Sequence, residues 1–138
     1  VLQLTAKLTA AIDPKPVLRA AERATFRNLR HAAASIRKAA AASIVPGDEP
    51  SAPGTPPHTG TATGKRRGVL PRAIFFAVEG DTAVIGPRAS VAGTGGAAHE
   101  HGGRFRGQTY PRRPFMGPQL VAAAPRIGSQ WAGSIGPT

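Results

Sequence analysis

Residues 13–43, DPKPVLRAAERATFRNLRHAAASIRKAAAAS, decide the fold class. Asp13-Pro14 reads as the N-cap and first residue of a helix: a carboxylate can accept an orphan backbone N–H there, and proline's fixed φ suits the first turn. Pro16 still lies in that turn, where a missing N–H costs little. Leu18, Thr25, Leu29, Ala32, Ile36 and Ala40 then share one face at three-, four- or seven-residue steps, and alanine-rich turns favour helix intrinsically. Arg19, Arg23, Arg27 and Arg30 line another face at steps of four, four and three. A helix of about 30 residues is ~45 Å long at the standard rise. That length in a small domain predicts packing against other subunits.

Outward from this helix the order changes. Residues 1–12 place Leu4, Leu8, Ala11 and Ile12 at helical spacing, as a short helix or an arm that docks on a neighbour. They carry one Lys and no continuous apolar run, so they are not a secretory signal; the missing initial Met predicts processing or trimming. Residues 45–64 contain Pro46, Pro50, Pro53, Pro56 and Pro57 and no periodicity, which predicts an extended or disordered Pro/Gly loop through residue 68. Lys65-Arg66-Arg67 closes it with a basic cluster. Residues 69–78 read as a strand entered near Pro71, Glu79-Gly80-Asp81 as a turn, and residues 82–86 as the return strand of a hairpin. Residues 87–96 read as a second loop and 97–101 as a third short strand. After Pro118 a helix is expected with Leu120, Ala123, Ala124, Ile127 and Trp131 on one face, kinked or shortened by Pro125 and ended by Gly133. Ser134-Ile135 reads as a last short strand. The expected class is α+β: a single domain over residues 1–138, with a long N-terminal helix (13–44) packed on a small antiparallel β-sheet and a C-terminal helix, joined by long Pro/Gly loops.

Composition narrows function. The chain has 138 residues and no Cys, which excludes disulfides and thiolate zinc sites. Much of its 41% hydrophobic fraction is alanine, so the core is expected to be thin and an oligomeric partner stabilising. Eighteen Lys+Arg stand against seven Asp+Glu, a net charge of +11, which points to a polyanion or an acidic protein partner rather than a small neutral substrate. No apolar run approaches a membrane span, for which about 20 residues are needed.

His99-Glu100-His101 invites a metal reading. In an extended segment its two imidazoles project to opposite sides, and the position four residues after His99 is Gly103, not a second ligand. No metal or other cofactor is expected. A Ser90, His99 and Glu100 set lacks the turn that exposes a nucleophile, and Gly93-Thr94-Gly95-Gly96 lacks the Lys and following helix of a phosphate loop. The chain is therefore read as not an enzyme; a hydrolase using His99 and Glu100 is the least favoured reading. Gly102-Gly103 allows a sharp turn, and Glu100 is expected to pair with a nearby Arg such as Arg113. In Tyr110-Pro111-Arg112-Arg113-Pro114-Phe115-Met116 the prolines fix an extended entry to the last helix, delivering Phe115 and Met116 into a core or an intersubunit interface. The Arg clusters interleave poorly with aromatics, so base stacking is not indicated; the expectation is sequence-independent phosphate contact or, equally for the long helix, a face that meets acidic residues of a neighbouring subunit.

Several pieces occur in a telling order. Pro56-Pro57-His58-Thr59-Gly60 is followed by Lys65-Arg66-Arg67-Gly68-Val69-Leu70, Ala83-Val84-Ile85-Gly86-Pro87, His99-Glu100-His101-Gly102-Gly103, then Pro111 to Met116, and Trp131 with Ser134-Ile135. Over residues 32–135 this order resembles the family of phage tail-completion or head–tail joining proteins (virion morphogenesis, minor tail protein Z-like). His101 stands where that family usually has an aromatic, and Ala62-Thr63-Gly64 obscures the Leu that often follows the "TG". The resemblance implies a structural virion protein at the neck or tail top, assembled in the host cytoplasm as a homo-oligomer, commonly a hexameric ring around the DNA channel. Its implied partners are head connector or adaptor proteins, tail terminator or tail tube proteins, and packaged DNA in the lumen, with no membrane. The implied assembly motif is His99, Glu100, Gly102, Gly103, Pro111, Arg113, Pro114, Phe115 and Met116. The surfaces facing DNA or an acidic partner would be Arg19, Arg23, Arg27, Arg30, Lys65, Arg66 and Arg67. The competing class is a sequence-independent nucleic-acid-binding module.

Overall fold

A computed structural model describes residues 13–60 and 68–132. The expected N-terminal arm, the Lys65-Arg66-Arg67 cluster and the Ser134-Ile135 strand lie outside the described residues. The elements in chain order are α1 (Pro14–Ser43), α2 (Val69–Ala73), β1 (Ile74–Glu79), β2 (Thr82–Pro87), α3 (Ala89–Ala92), α4 (Gly95–His101), β3 (Gly103–Phe105), β4 (Gln108–Tyr110) and α5 (Gly117–Trp131). The fold is mixed α+β, with a long N-terminal helix, two separate two-stranded antiparallel sheets and a C-terminal helix.

Helix α1 begins where the sequence places it. The Asp13 carboxylate accepts the Lys15 N–H at 3.0 Å, and Pro14 occupies the first helical position. The helix ends at Ser43, whose hydroxyl donates to the Ala40 carbonyl at 2.7 Å. Its buried face is Ala24, Asn28, Ala32, Ala33, Ile36 and Ala40. Leu18 was expected on this face but is 58% exposed, as Val17 is at 57%: the body of the domain covers only the C-terminal part of the helix. Strands β1 and β2 and helix α5 pack along that part.

Strand β1 pairs with β2 from Ile74↔Pro87 to Glu79↔Thr82. Gly80 at φ 59 supplies the turn between them, the backbone freedom a two-residue hairpin loop needs at its first position. The expected strand over residues 69–78 is corrected at its start: Val69 to Ala73 form a short helix, with Pro71 in the first turn where its missing N–H is harmless. Residues 87–96 are not simply a loop, because α3 and the start of α4 lie within them. The expected third strand over residues 97–101 is helical instead. Ala97 and Ala98 favour that state, and Gly102 at φ 67 ends it, its N–H bonded to the Ala98 carbonyl at 2.8 Å. The β3–β4 hairpin was not foreseen; it turns through Arg106 (φ 50) and Gly107 (φ 78), a pair of positive φ values that matches the twist of paired strands.

The Pro-rich segment after α1 is also more ordered than its composition suggests. Pro46 and Thr59 form a parallel bridge, Gly47 and Thr59 donate to the Thr59 and Val45 carbonyls at 2.9 Å each, and Pro57 is fully buried. Its ends are thus clasped together, as in a compact surface loop. Helix α5 runs through Pro125 to Trp131. Ala123 is buried and Ile127 and Trp131 half-buried, while Leu120 and Ala124, expected on the same face, are exposed. A slender 15-residue helix against an alanine face leaves room for only a narrow contact stripe.

The core is correspondingly small. Ala40, Ile44, Ile74 and Phe115 form its fully covered centre, with Ala41, Leu70, Ile85 and Met116 packed against it. Phe115 is the largest of these side chains and has no exposed surface. Truncating it to Ala is expected to cost about 3–5 kcal/mol, whereas Leu120→Ala is expected to stay within about 0.5 kcal/mol. Urea denaturation followed by circular dichroism measures both.

Candidate functional site

Two regions gather the residues singled out from the sequence. The first is the junction between α4 and α5. Helix α4 carries Glu100, and its carboxylate faces the start of α5 through the segment that leaves β4. One carboxylate oxygen, Oε2, accepts the N–H groups of Phe115 at 2.9 Å and Met116 at 3.0 Å; Oε1 accepts that of Gly117 at 2.8 Å. A helix start leaves such N–H groups without intrahelical partners and carries a partial positive charge, so a carboxylate from another element satisfies both. A Cβ at Gly117 would stand 3.1 Å from Oε1, which makes glycine the residue that lets the carboxylate approach.

The expected Glu100–Arg113 ion pair is not what forms. Glu100 is committed to the three backbone donors. Arg113 turns away and donates its Nε to the Ser51 carbonyl at 2.8 Å, tying the Pro-rich loop to this junction. Its backbone N–H donates to the His99 carbonyl at 2.7 Å, and the Arg112 carbonyl accepts from Gly54 at 2.8 Å. Gly102 completes the node: a Cβ there would lie 2.9 Å from the Tyr110 carbonyl oxygen and 3.0 Å from the Arg112 nitrogen. Gly103 has φ 128 and begins β3. Pro111 and Pro114 flank the arginines and are half-buried. Of the two destinations open to Phe115 and Met116, the core is the one occupied.

This junction offers little for catalysis. Glu100 alone among the seven carboxylates is not exposed, and both of its oxygens hold backbone. His99 and His101 are two residues apart on a helix, roughly 200° around its axis, so the two rings again point apart, though for a different reason than in a strand. Among the described residues no group of three or more His, Asp and Glu side chains comes close enough to hold a metal ion. Gly93-Thr94-Gly95-Gly96 does lead into a helix, contrary to expectation, but one of seven residues with no Lys. A cleft of about 460 Å³ lies beside the junction, between Gly86-Pro87, Gly96, Ala97 and Met116, with Glu100 and His101 also on its lining. Its walls are largely backbone and apolar side chains.

The second region is the arginine flank of α1. Arg19, Arg23 and Arg30 lie within roughly 40° of one another around the helix axis, and Arg37, unremarked in the sequence, falls inside the same arc at 100° per residue. Arg27 sits outside it, toward Lys38. Phe26 borders the arc, with the Arg30 guanidinium 5.8 Å from its ring centre. At the far end Arg37 donates its Nε to the Ile74 carbonyl at 2.7 Å and lies 6.0 Å from the Phe75 ring centre. Arg88, just beyond β2, covers the same ring at 4.5 Å. Phe75 sits opposite Gly86 in the hairpin, so Arg88 is its diagonal neighbour on that face, a reach long side chains span. Aromatics that are scattered in sequence are therefore interleaved with the arginines in space, which corrects the expectation. Only the Phe75↔Gly86 register and the proximity of β1 to α1 reveal it.

Comparison of the chain with protein-family models, with curated proteins and with solved structures gives no match. No described helix is long and apolar enough to cross a membrane.

Two titrations follow from the α4–α5 junction. Partial burial raises the Glu100 carboxyl, but the N–H groups of Met116, Phe115 and Gly117, and then the charge of His101, outweigh it and hold the group below its ordinary 4.5. Burial, aided by the Arg113 charge, lowers the His99 imidazole from its ordinary 6.5. The folded chain thus binds fewer protons than the unfolded chain in both cases, and stability falls with acid. The His99 contribution is lost as pH drops from 6.5 through its lowered value, and the Glu100 contribution as pH drops from 4.5. His99→Gln is expected to flatten the first window. Glu100→Gln is expected to flatten the second and to cost about 1–3 kcal/mol at neutral pH, because it turns one acceptor of backbone N–H groups into a donor. Urea midpoints measured between neutral pH and about pH 3.5 check both signs.

Proposed function

We propose that this chain is a structural protein of a tailed-phage virion, forming a homo-oligomeric ring at the head–tail junction. The observation that carries the reading is the uneven coverage of α1. Its C-terminal part is buried in a small alanine-rich core, while Val17 and Leu18 near its start stand 57% and 58% exposed. A thin-cored subunit with an uncovered apolar and basic helix end gains stability from neighbouring subunits. A closed ring of head-to-tail contacts is one arrangement that satisfies every copy alike.

The α4–α5 junction supports a scaffold role over a catalytic one. The residues whose order resembles the phage family, from His99 to Gly103 and from Pro111 to Met116, converge there and hold backbone and core. A rigid node of this kind keeps the helix α5, the Pro-rich loop and the β3–β4 hairpin in fixed relation, as an assembly subunit requires. The partners of such a ring are head connector or adaptor proteins on one side and tail terminator or tail tube proteins on the other, with packaged DNA in the lumen.

Cryo-electron microscopy of the particle encoded with this chain tests the reading. The expected result is a ring between portal and tail tube into which residues 13–60 and 68–132 fit. Arg113→Ala, which removes the side-chain tie between the Pro-rich loop and the junction, is expected to lower particle yield while the purified chain keeps its helical circular dichroism. Density for the neck without this chain, with normal yield from the variant, overturns the proposal.

A further inference from the structure

We infer that the flank formed by Arg19, Arg23, Arg30, Arg37 and Arg88, with Phe26 and Phe75, is a docking surface for the phosphate backbone of duplex DNA. This deepens the virion reading, on which it rests for its biological setting, by assigning the face that meets the packaged polymer.

The argument begins with charge. Helix α1 carries seven Lys and Arg against Glu22 alone. Four of its arginines fall in one arc, and from Arg19 to Arg37 that arc runs ~27 Å along the helix at the standard rise. Arg88 arrives from a different element and continues the same surface beside Phe75. Guanidinium groups spaced along a line suit a polymer whose charges repeat every few ångströms, because some phosphate is near each of them in any register. An acidic protein surface would need carboxylates placed to match.

The aromatics decide the mode of contact. A guanidinium stacked on a ring spends its face on the ring and keeps its N–H edge for an anion. Arg30 is steadied over Phe26, and Arg37 and Arg88 over Phe75. Side chains held in place lose less entropy when they bind. Phe75 already carries two guanidinium groups, so it is not presented as a platform for an unstacked base. Backbone contact to a duplex, without preference for sequence, follows.

The test compares two double variants of equal charge loss. Arg30→Gln with Arg88→Gln removes two groups from the flank; Arg27→Gln with Lys38→Gln removes two from the same helix outside the arc. All four residues are exposed, and circular dichroism with urea denaturation verifies that both variants fold. Binding of the full chain to a fluorescein-labelled 20-base-pair DNA of arbitrary sequence is followed by anisotropy across a KCl series from low salt. The flank variant is expected to reduce the slope of log K against log salt by about 1.8, at about 0.9 per phosphate contact, and the off-arc variant by less than about 0.5. Equal losses in the two variants overturn the assignment, as does binding of polyglutamate as tight as that of the duplex, or tighter binding of a single-stranded oligonucleotide. A neck ring seen in the particle with no flank-dependent DNA binding leaves the virion reading standing and removes this one. Flank-dependent binding without a neck ring does the reverse.

Discussion

The three hydrogen bonds from Phe115, Met116 and Gly117 to the Glu100 carboxylate are the constraint on which the rest of the structure turns. They fix where α5 starts and which way Phe115 points. Phe115 then fills the space between Ala40, Ile44 and Ile74, joining α1, the first hairpin and the C-terminal half in one core. A buried aromatic supplies the apolar area, but it is not directional. The carboxylate supplies the direction, because backbone donors bind it only over a narrow range of distance and angle.

The small core explains why so much of the remaining structure is held by polar contacts to backbone. Alanine faces let α1, α5 and the hairpin approach closely but bury little area each. The Pro-rich loop is kept by Arg113 on the Ser51 carbonyl, by Gly54 on the Arg112 carbonyl and by its own parallel bridge. Arginine suits this work, since one planar group can donate to a carbonyl and still lie against an aromatic ring. Arg37 does both: it holds the first residue of β1 and covers Phe75. Structural and surface roles of the arginines are therefore not separable by counting charge.

Some errors of the sequence reading have a common physical origin. Residues 97–101 and 69–73 are short, and a short apolar or mixed run has no periodicity long enough to distinguish strand from helix. The end signals decided both: Gly102, at a positive φ that favours glycine, closed one helix, and proline in the first turn was compatible with the other. For Glu100 it is the partner that differs: backbone N–H groups take the place of the expected arginine. The donors that won it come from residues 15 to 17 positions away along the chain, which neighbouring charges in sequence do not reveal.

By itself the sequence determined α1 with its cap at Asp13, the β1–β2 hairpin, the presence of α5 and the basic character of the chain. Each rests on local signals: a capping carboxylate, a helical repeat, a glycine in a turn, a count of charges. Only the tertiary structure decided that His99 to Gly103 meets Phe115 to Gly117, that Leu18 and Leu120 lie outside the core, and that Arg30, Arg37 and Arg88 share a surface with Phe26 and Phe75. Those outcomes depend on which faces elements present to one another. Faces are set by the competition for a small buried volume, and no single segment carries that information.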